Sequence, residues 1–253
     1  MRVGFALRRQ IATALTLCAF VLIGSTALEG CKADKPKGAG FTTADMDKAP
    51  QVPFHKTWHQ PGFDLARYKK LYVAPVNTEY MLQQTEWQKG QHRPEIDAGV
   101  GELAKFTRET VEKDFRADPN HRYEVIAEPN KDPDTLILEI AMTEIIPSKV
   151  VLTALGYVPF GVGLSISAIR TIPPDQSSAA FEARLSDAST GQIILKVADR
   201  ESEQFAPISV RGLTWYGRAK TMIEQWSKQF VQITNRKGDE VIKDPEPLTL
   251  KPW

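Results

Sequence analysis

The stretch FEARLSDASTGQIILKVA, residues 181–198, decides the fold of this chain. Residues 181–186 alternate between apolar and polar side chains, which is the pattern of a β-strand with one buried face. Residues 187–191, Asp-Ala-Ser-Thr-Gly, have the composition of a hairpin loop and place Gly191 where a positive φ is needed. Residues 193–198 then predict a returning strand. The whole stretch therefore predicts an antiparallel hairpin within a sheet.

Three further strands are predicted before this hairpin, at residues 71–76, 123–127 and 136–142. Pro75 restricts the first of them to the edge of a sheet or to a strand end, and Pro147 closes the third. The third strand is the longest, because its alternation places four apolar side chains on one face. These are Leu136, Leu138, Ile140 and Met142.

Two helices are predicted from apolar residues that recur at helical spacing. The first runs from Ile96 to Phe115 and ends at residues 118–120, Asp-Pro-Asn, since proline and an asparagine turn stop a helix. The second has the strongest helical face in the chain. Because every member of that face is apolar, it predicts a packed core rather than a ligand site. Its members are Trp215, Ala219, Met222, Ile223, Trp226, Phe230 and Ile233.

The resulting order, β-α-β-β-β-β-α, predicts a single two-layer α+β domain at residues 61–253. We expect about five mostly antiparallel strands in its sheet, with the two helices on one face. An apolar insertion separates the third strand from the fourth.

That insertion, residues 151–169, contains no charged residue and barely reaches the length of a membrane-spanning helix. Gly156, Pro159, Gly161 and Gly163 interrupt it. We expect a buried crossover or a helical hairpin, because short apolar runs are commonly part of a core. A patch that contacts the membrane or a partner is the first alternative, and a true membrane span is the second.

Residues 1–30 have the organisation of a secretory signal peptide. Three arginines precede an uncharged, mostly apolar stretch from Ile11 to Leu28, and Gly30 supplies the small residue before the cleavage point. Cys31 then stands where bacterial lipoproteins carry their acylated cysteine, and the residues before it resemble their lipobox. We therefore predict lipidation at Cys31. An ordinary signal peptide with an unrelated cysteine, or an uncleaved N-terminal anchor, is the alternative.

The residues that follow Cys31 indicate where the protein is held. Acyl chains on this cysteine, palmitate among them, would hold it on a membrane, since two or more chains bind effectively for good. Lys32 rather than aspartate follows the cysteine, which by resemblance to enterobacterial sorting implies the outer membrane. Residues 31–60 are rich in Lys, Asp, Gly and Pro, which predicts a flexible tether. Its aromatic end, with Phe54, Trp58 and Phe63, is expected to dock on the domain.

Composition limits the partners and the chemistry of the exported chain. The net charge of the whole chain is +1, and loss of residues 1–30 removes three arginines and one glutamate, which leaves a net charge of −1. This balance indicates neither nucleic acid nor an anionic surface as a partner. Cys18 leaves with the signal peptide and Cys31 carries lipid, so no thiol remains for a disulfide, a metal or catalysis.

No residue is predicted to be catalytic, cofactor-binding or metal-binding. His55 and His59 have the i,i+4 spacing that suits zinc on a helix, but prolines flank them and no acidic residue completes a motif. Gly161 and Gly163 begin a dinucleotide fingerprint that lacks its last glycine. Residues 199–201, Asp-Arg-Glu, are typical of a solvated face or a local ion pair, although an acid beside arginine can line a site.

Four blocks of sequence resemble the bacterial lipoprotein family known as domain of unknown function 3313. They are residues 64–76, DLARYKKLYVAPV, residues 199–201, residues 213–217, LTWYG, and residues 248–253, LTLKPW. The resemblance spans roughly the whole exported domain. It implies an exported, lipid-anchored envelope protein, and it implies no catalytic activity, cofactor or set of site residues.

These observations favour a non-enzymatic envelope lipoprotein, a binding or structural module at the periplasmic face of the outer membrane. Its expected partners are the membrane, through the lipid on Cys31, and another envelope protein. The alternative is a lipid-handling or membrane-apposed module that uses residues 151–169. A hydrolase whose site the sequence does not reveal is the third hypothesis.

Overall fold

The structure is a computed structural model that describes residues 33–42, 45–84, 94–147, 176–204 and 216–244. The signal peptide, Cys31 and the apolar insertion at residues 151–169 lie outside the described residues. The predictions made for them therefore stay predictions.

In the part of the chain that the structure describes, six strands form one mixed sheet. In space they follow the order β1-β6-β5-β4-β2-β3. The pairs β1–β6, β6–β5 and β5–β4 are antiparallel, whereas β2 pairs in parallel with both β4 and β3. In chain order the strands are β1 Lys56–His59, β2 Lys70–Val73, β3 Glu124–Ile126, β4 Thr135–Ile146, β5 Gln176–Asp187 and β6 Ile193–Gln204.

Within the described residues, three α-helices accompany the sheet: α1 Glu79–Gln84, α2 Pro94–Arg116 and α3 Gly217–Asn235. A short 3-10 helix, Leu65–Arg67, precedes β2 and is capped by Asp64, whose carboxylate accepts a hydrogen bond from the Ala66 amide at 2.8 Å. Helices α2 and α3 contact each other and cover one face of the sheet, while α1 contacts β4.

The core lies between the sheet and the pair α2–α3. Alternate residues of β4 and β5 point into it because successive side chains of a strand face opposite sides. Its centre is an aromatic cluster around Phe181, whose ring centroid lies 4.7 Å from that of Trp226 and 5.3 Å from that of Phe230. Phe54, which is 0% exposed, completes the cluster at 5.7 Å from Phe181.

The opposite face of the sheet carries charged side chains arranged as cross-strand ion pairs. Arg184 of β5 binds both carboxylate oxygens of Glu139 on β4, at 2.7 and 2.9 Å. Arg200 of β6 binds Glu144 of β4 at 2.7 Å and Ser178 of β5 at 3.0 Å. The first pair joins the adjacent strands β5 and β4, and the second spans β5 to join β6 to β4.

The predicted α+β class, the central hairpin and the two long helices are confirmed, but the prediction of five strands is wrong. The sheet has a sixth strand, β1, and a third helix, α1, precedes α2. Strand β1 consists of only Lys-Thr-Trp-His and shows no clear alternation. Its partner, β6, lies in the last quarter of the chain, so no local pattern marks the pairing.

Residues 45–60 belong to the sheet layer rather than to a tether. Strand β1 pairs with β6 through Lys56–Ala198 to His59–Leu195, and Asp47 bridges to Thr57 on the outer side of β1. The segment is held because Phe54 supplies an apolar side chain that the core encloses completely. The expectation that the aromatic end of this segment docks on the domain agrees with the position of Phe54.

Of the helices that the structure describes, none combines the length and the apolar character needed to cross a membrane.

Candidate functional site

Residues 33–42 are hereafter the strap, and its later part, from Ala39 to Thr42, lies on the sheet face that α2 and α3 leave open. Glu182 of β5 projects from this face and is 1% exposed. Its carboxylate accepts hydrogen bonds from the Ala39 amide at 2.5 Å, the Thr42 amide at 2.6 Å and the Thr42 hydroxyl at 2.8 Å. Gly40, which lies between these two donor residues, has φ of +91°, a left-handed conformation that glycine adopts without strain. The hydrogen bonds from the strap therefore compensate the free-energy cost of burying the Glu182 carboxylate, which would be high without them.

An aromatic contact holds the far end of the strap. The ring of Phe41 packs under the guanidinium of Arg184 at 4.6 Å and meets the ring of Tyr80 edge-on, with centroids 5.5 Å apart. Hydrogen bonding to Glu139 raises the pKa of Arg184, so the cation over the ring is permanent. Phe41 thus lies between the sheet and α1.

A second buried carboxylate, Asp199 of β6, holds the near end of the strap. Asp199 is 0% exposed and accepts hydrogen bonds from the His55 amide at 2.9 Å and from the Trp226 indole N–H at 2.9 Å. Its Oδ1 also lies 2.6 Å from Nδ1 of His55. The other ring nitrogen of His55, Nε2, lies 2.8 Å from the carbonyl oxygen of Ala33. His55 therefore connects the first described residue of the strap to β6 and α3.

A third buried carboxylate, Asp187, lies at the end of β5 and fastens the hairpin loop to the segment before β2. It pairs with Arg67 and accepts hydrogen bonds from the Tyr68 hydroxyl at 2.9 Å and from the Ser189 hydroxyl at 2.6 Å. Burial by itself would raise the pKa of Asp187. The donors from Ser189, Tyr68 and the Thr190 amide outweigh that effect and hold the pKa well below its usual range.

We expect Asp187→Asn to lower the free energy of unfolding by about 1.5–3 kcal/mol at pH 7, the range for hydrogen bonds to a charged group. The folded pKa lies below the unfolded value of about 3.9, so the carboxylate stabilises the fold fully above about pH 5. That contribution is lost as the pH falls through the unfolded pKa toward the folded one. Urea unfolding at a series of pH values measures it, with the exposed Asp239→Asn as control. A gap between Asp187→Asn and the wild type that stays constant down to pH 2 would contradict the assignment.

An apolar cavity of about 40 Å³ lies between the sheet and the C-terminal part of α3. Tyr123 lines it, and its buried hydroxyl has no hydrogen-bond partner within the described part of the chain. Burial raises the pKa of Tyr123 to about 12, so this group stays protonated at physiological pH. An apolar cavity must reach about 150 Å³ to admit even a molecule such as benzene, so this one is a packing void rather than a substrate pocket.

The residues that the sequence singled out are not brought together as one site. His55 belongs to the Asp199 cluster, whereas the His59 ring is exposed and lies beside Phe63, with centroids 5.6 Å apart. The described residues contain no group of three or more His, Cys, Asp or Glu that could hold a metal. Within the run at residues 199–201, Asp199 faces the helices while Arg200 faces the strap side and binds Glu144.

Two features of the site were missed from the sequence. Glu182 and Arg184 occupy the polar positions of an alternating strand, where a charged residue is ordinarily solvent-exposed. The strap donates hydrogen bonds from its main-chain amides to Glu182. Because every sequence has such amides, no residue type marks the strap as the partner of Glu182. The one signal in the sequence is the glycine-rich composition of the strap before a strand, and this composition by itself predicts a linker.

A family model described as "Protein of unknown function (DUF3313)" matches residues 46–230, more than half of the chain. No curated protein matches the chain.

Three solved structures illustrate the similarity of the chain to known folds. The PelC dodecamer from Paraburkholderia phytofirmans is 12% identical, with a TM-score of 0.38 and coverage of 68% of this chain and 96% of that one. Protein XCC0632 from Xanthomonas campestris is 11% identical, with a TM-score of 0.39 and coverage of 74% and 95%. Lipoprotein GNA1162 from Neisseria meningitidis is 15% identical, with a TM-score of 0.30 and coverage of 66% and 99%.

Proposed function

The chain belongs to the DUF3313 family of proteins of unknown function, and from that premise we propose that it is an exported, lipid-anchored envelope protein. Its domain is a non-enzymatic binding or structural module that faces the periplasm from the outer membrane. Cys31 carries the lipid, and the partners are the membrane and another envelope protein.

The observation that carries this proposal is the position of the strap relative to the predicted processing point. The signal-like sequence ends at Gly30, and the compact unit of the structure spans Ala33–Pro245. The strap contacts that the structure describes for Glu182 and His55 come from Ala33, Ala39 and Thr42, which follow Cys31 in the sequence. Cleavage before Cys31 therefore leaves each of these contacts in place, as export and acylation require.

The buried carboxylates support a binding or structural role rather than catalysis. Glu182 holds the strap, Asp199 holds His55 and Trp226, and Asp187 holds the hairpin loop to the segment before β2. A general acid or base must reach a proton on a substrate. Each of these three carboxylates instead accepts hydrogen bonds from groups of the same chain, which is a structural role.

We expect Cys31→Ser to convert the protein from a membrane-bound to a soluble periplasmic form, because the substitution removes the acyl acceptor. The measurement is fractionation after a high-salt wash, together with mass spectrometry of the N-terminal peptide of the wild type. Cys18→Ser is the matched control, since Cys18 lies in the segment proposed to be removed. Retention of Cys31→Ser in the washed membrane would show that lipid does not hold the protein.

Two further measurements address the finer parts of the proposal. Density-gradient separation of the membranes tests the outer-membrane location, and Lys32→Asp should shift the protein to the inner membrane if sorting follows the enterobacterial pattern. Crosslinking with mass spectrometry in the native envelope identifies the partner protein.

A further inference from the structure

The strap leaves very little chain between the proposed anchor and the folded domain. Ala33 is fixed through His55, and only Lys32 separates it from Cys31. Two residue steps of extended chain span about 7 Å. A flexible tether of about 25 residues would instead reach on the order of 28 Å. A lipid on Cys31 would therefore hold the domain directly against the bilayer surface.

The strap stays docked because both of its ends meet buried carboxylate clusters. Peeling the strap away would remove three donors from Glu182, which is 1% exposed. At the other end it would remove the Ala33 carbonyl from His55, which Asp199 holds in place. Hydrogen bonds to a charged group contribute net stability even when water replaces them after the strap leaves, so the membrane meets the strap in its docked form.

The outer side of the docked strap carries a net charge of +1, because Lys35, Lys37 and Asp34 are its exposed charged residues. The side chains of Lys35 and Lys37 are exposed, whereas Pro36 between them is buried against the domain. Asp34 is the one acidic residue of the strap, and Lys32 lies two positions before it. The exported chain as a whole is nearly neutral, so the positive charge is a local property of this surface.

We propose that the exposed side of the strap, with Lys35 and Lys37, binds the anionic phospholipid headgroups of the membrane that holds Cys31. The proposal rests on the lipid anchor proposed above. Basic residues beside an anionic leaflet are attracted to it, and the interaction falls off within a Debye length of about 8 Å at physiological salt. Ala33 can lie no farther than about 7 Å from Cys31, so the strap that follows it begins close to the membrane that would hold the lipid. The contact would fix which side of the domain faces the membrane and which side faces the periplasm.

The test uses the full chain, processed in the cell and reconstituted into vesicles of phosphatidylglycerol and phosphatidylcholine that carry a headgroup nitroxide quencher. A thiol-reactive fluorophore is placed at Gly38→Cys on the strap or at Gly101→Cys on α2. Both glycines are exposed, and a Cβ at either position would meet no atom within 4 Å, so both variants should fold. Mass spectrometry of the same samples shows whether Cys31 carries lipid.

We expect several-fold stronger quenching at residue 38 than at residue 101. The double variant Lys35→Gln, Lys37→Gln should reduce the quenching at residue 38 and remove its dependence on salt. Its matched control, Lys105→Gln with Lys113→Gln on α2, should leave that quenching unchanged.

Three outcomes would overturn the proposal. Equal quenching at both positions with an acylated Cys31 would rule out a specific strap contact and leave the anchor intact. Quenching at residue 38 that is insensitive to the lysine substitutions would rule out charge as its basis. An unmodified Cys31 would overturn the proposed function and this contact together.

Discussion

Trp226→Ala is expected to lower the free energy of unfolding by about 3–5 kcal/mol, the range found for truncating a large aromatic residue in a packed core. The indole packs on Phe181 at 4.7 Å and donates a hydrogen bond to Asp199 at 2.9 Å. The substitution therefore leaves both a cavity and a buried carboxylate with one donor fewer. Urea unfolding followed by circular dichroism measures the change.

Trp226→Phe separates the two contributions. It keeps most of the ring packing and removes the N–H donor, so we expect a smaller loss of about 1–3 kcal/mol. An alanine variant as stable as the wild type would contradict the position of Trp226 in the core. A phenylalanine variant as unstable as the alanine variant would assign the whole effect to the hydrogen bond.

Glu182→Ala is expected to release the strap and to lower the free energy of unfolding by about 3 kcal/mol, since each hydrogen bond to a charged group contributes about 1.5–3 kcal/mol and three of them are lost. The full sum is not reached, because the freed amides of Ala39 and Thr42 become hydrated once the strap leaves the sheet. Limited proteolysis with trypsin reports the release as cleavage after Lys37; the bond after Lys35 is protected because proline follows it.

Glu144→Ala is the matched control for this prediction. Glu144 lies on the same face of the sheet and pairs with Arg200, but the strap hydrogen bonds go to Glu182. We expect its loss to leave the bond after Lys37 resistant to trypsin. Equal cleavage in the wild type and in Glu182→Ala would mean that the carboxylate does not hold the strap.

The parts of the fold that the sequence predicted are those whose signals are local. The hairpin of β5 and β6 is marked by alternation on both sides of a loop that ends in Gly191. The face of α3 is marked by seven residues at helical spacing, of which Trp215 lies outside the described residues. Each pattern depends only on residues that lie close together in the sequence, so a single sequence is enough to show it.

The strap and β1 could not be predicted because their partners are distant in the sequence. Ala39 bonds to a residue 143 positions away, and His55 to one 144 positions away. Their own composition, rich in Lys, Asp, Gly and Pro, resembles that of a linker. The candidate site could not be predicted for the same reason. Glu182 lies on the polar face of a strand, and its burial becomes evident only once the position of the strap that covers it is known.

The separation between the strap and its acceptors also sets an order of events during synthesis. The N-terminal segment emerges first, whereas Glu182 and Asp199, its acceptors, are made only when most of the chain is complete. Closing a loop of that length costs roughly 4 kcal/mol of chain entropy, which the contacts repay only after β5 and β6 have formed. Until then the strap has nothing to dock on, so it does not hinder the enzymes that would cleave and acylate the chain at Cys31. The strap therefore docks only after β5 and β6 are in place.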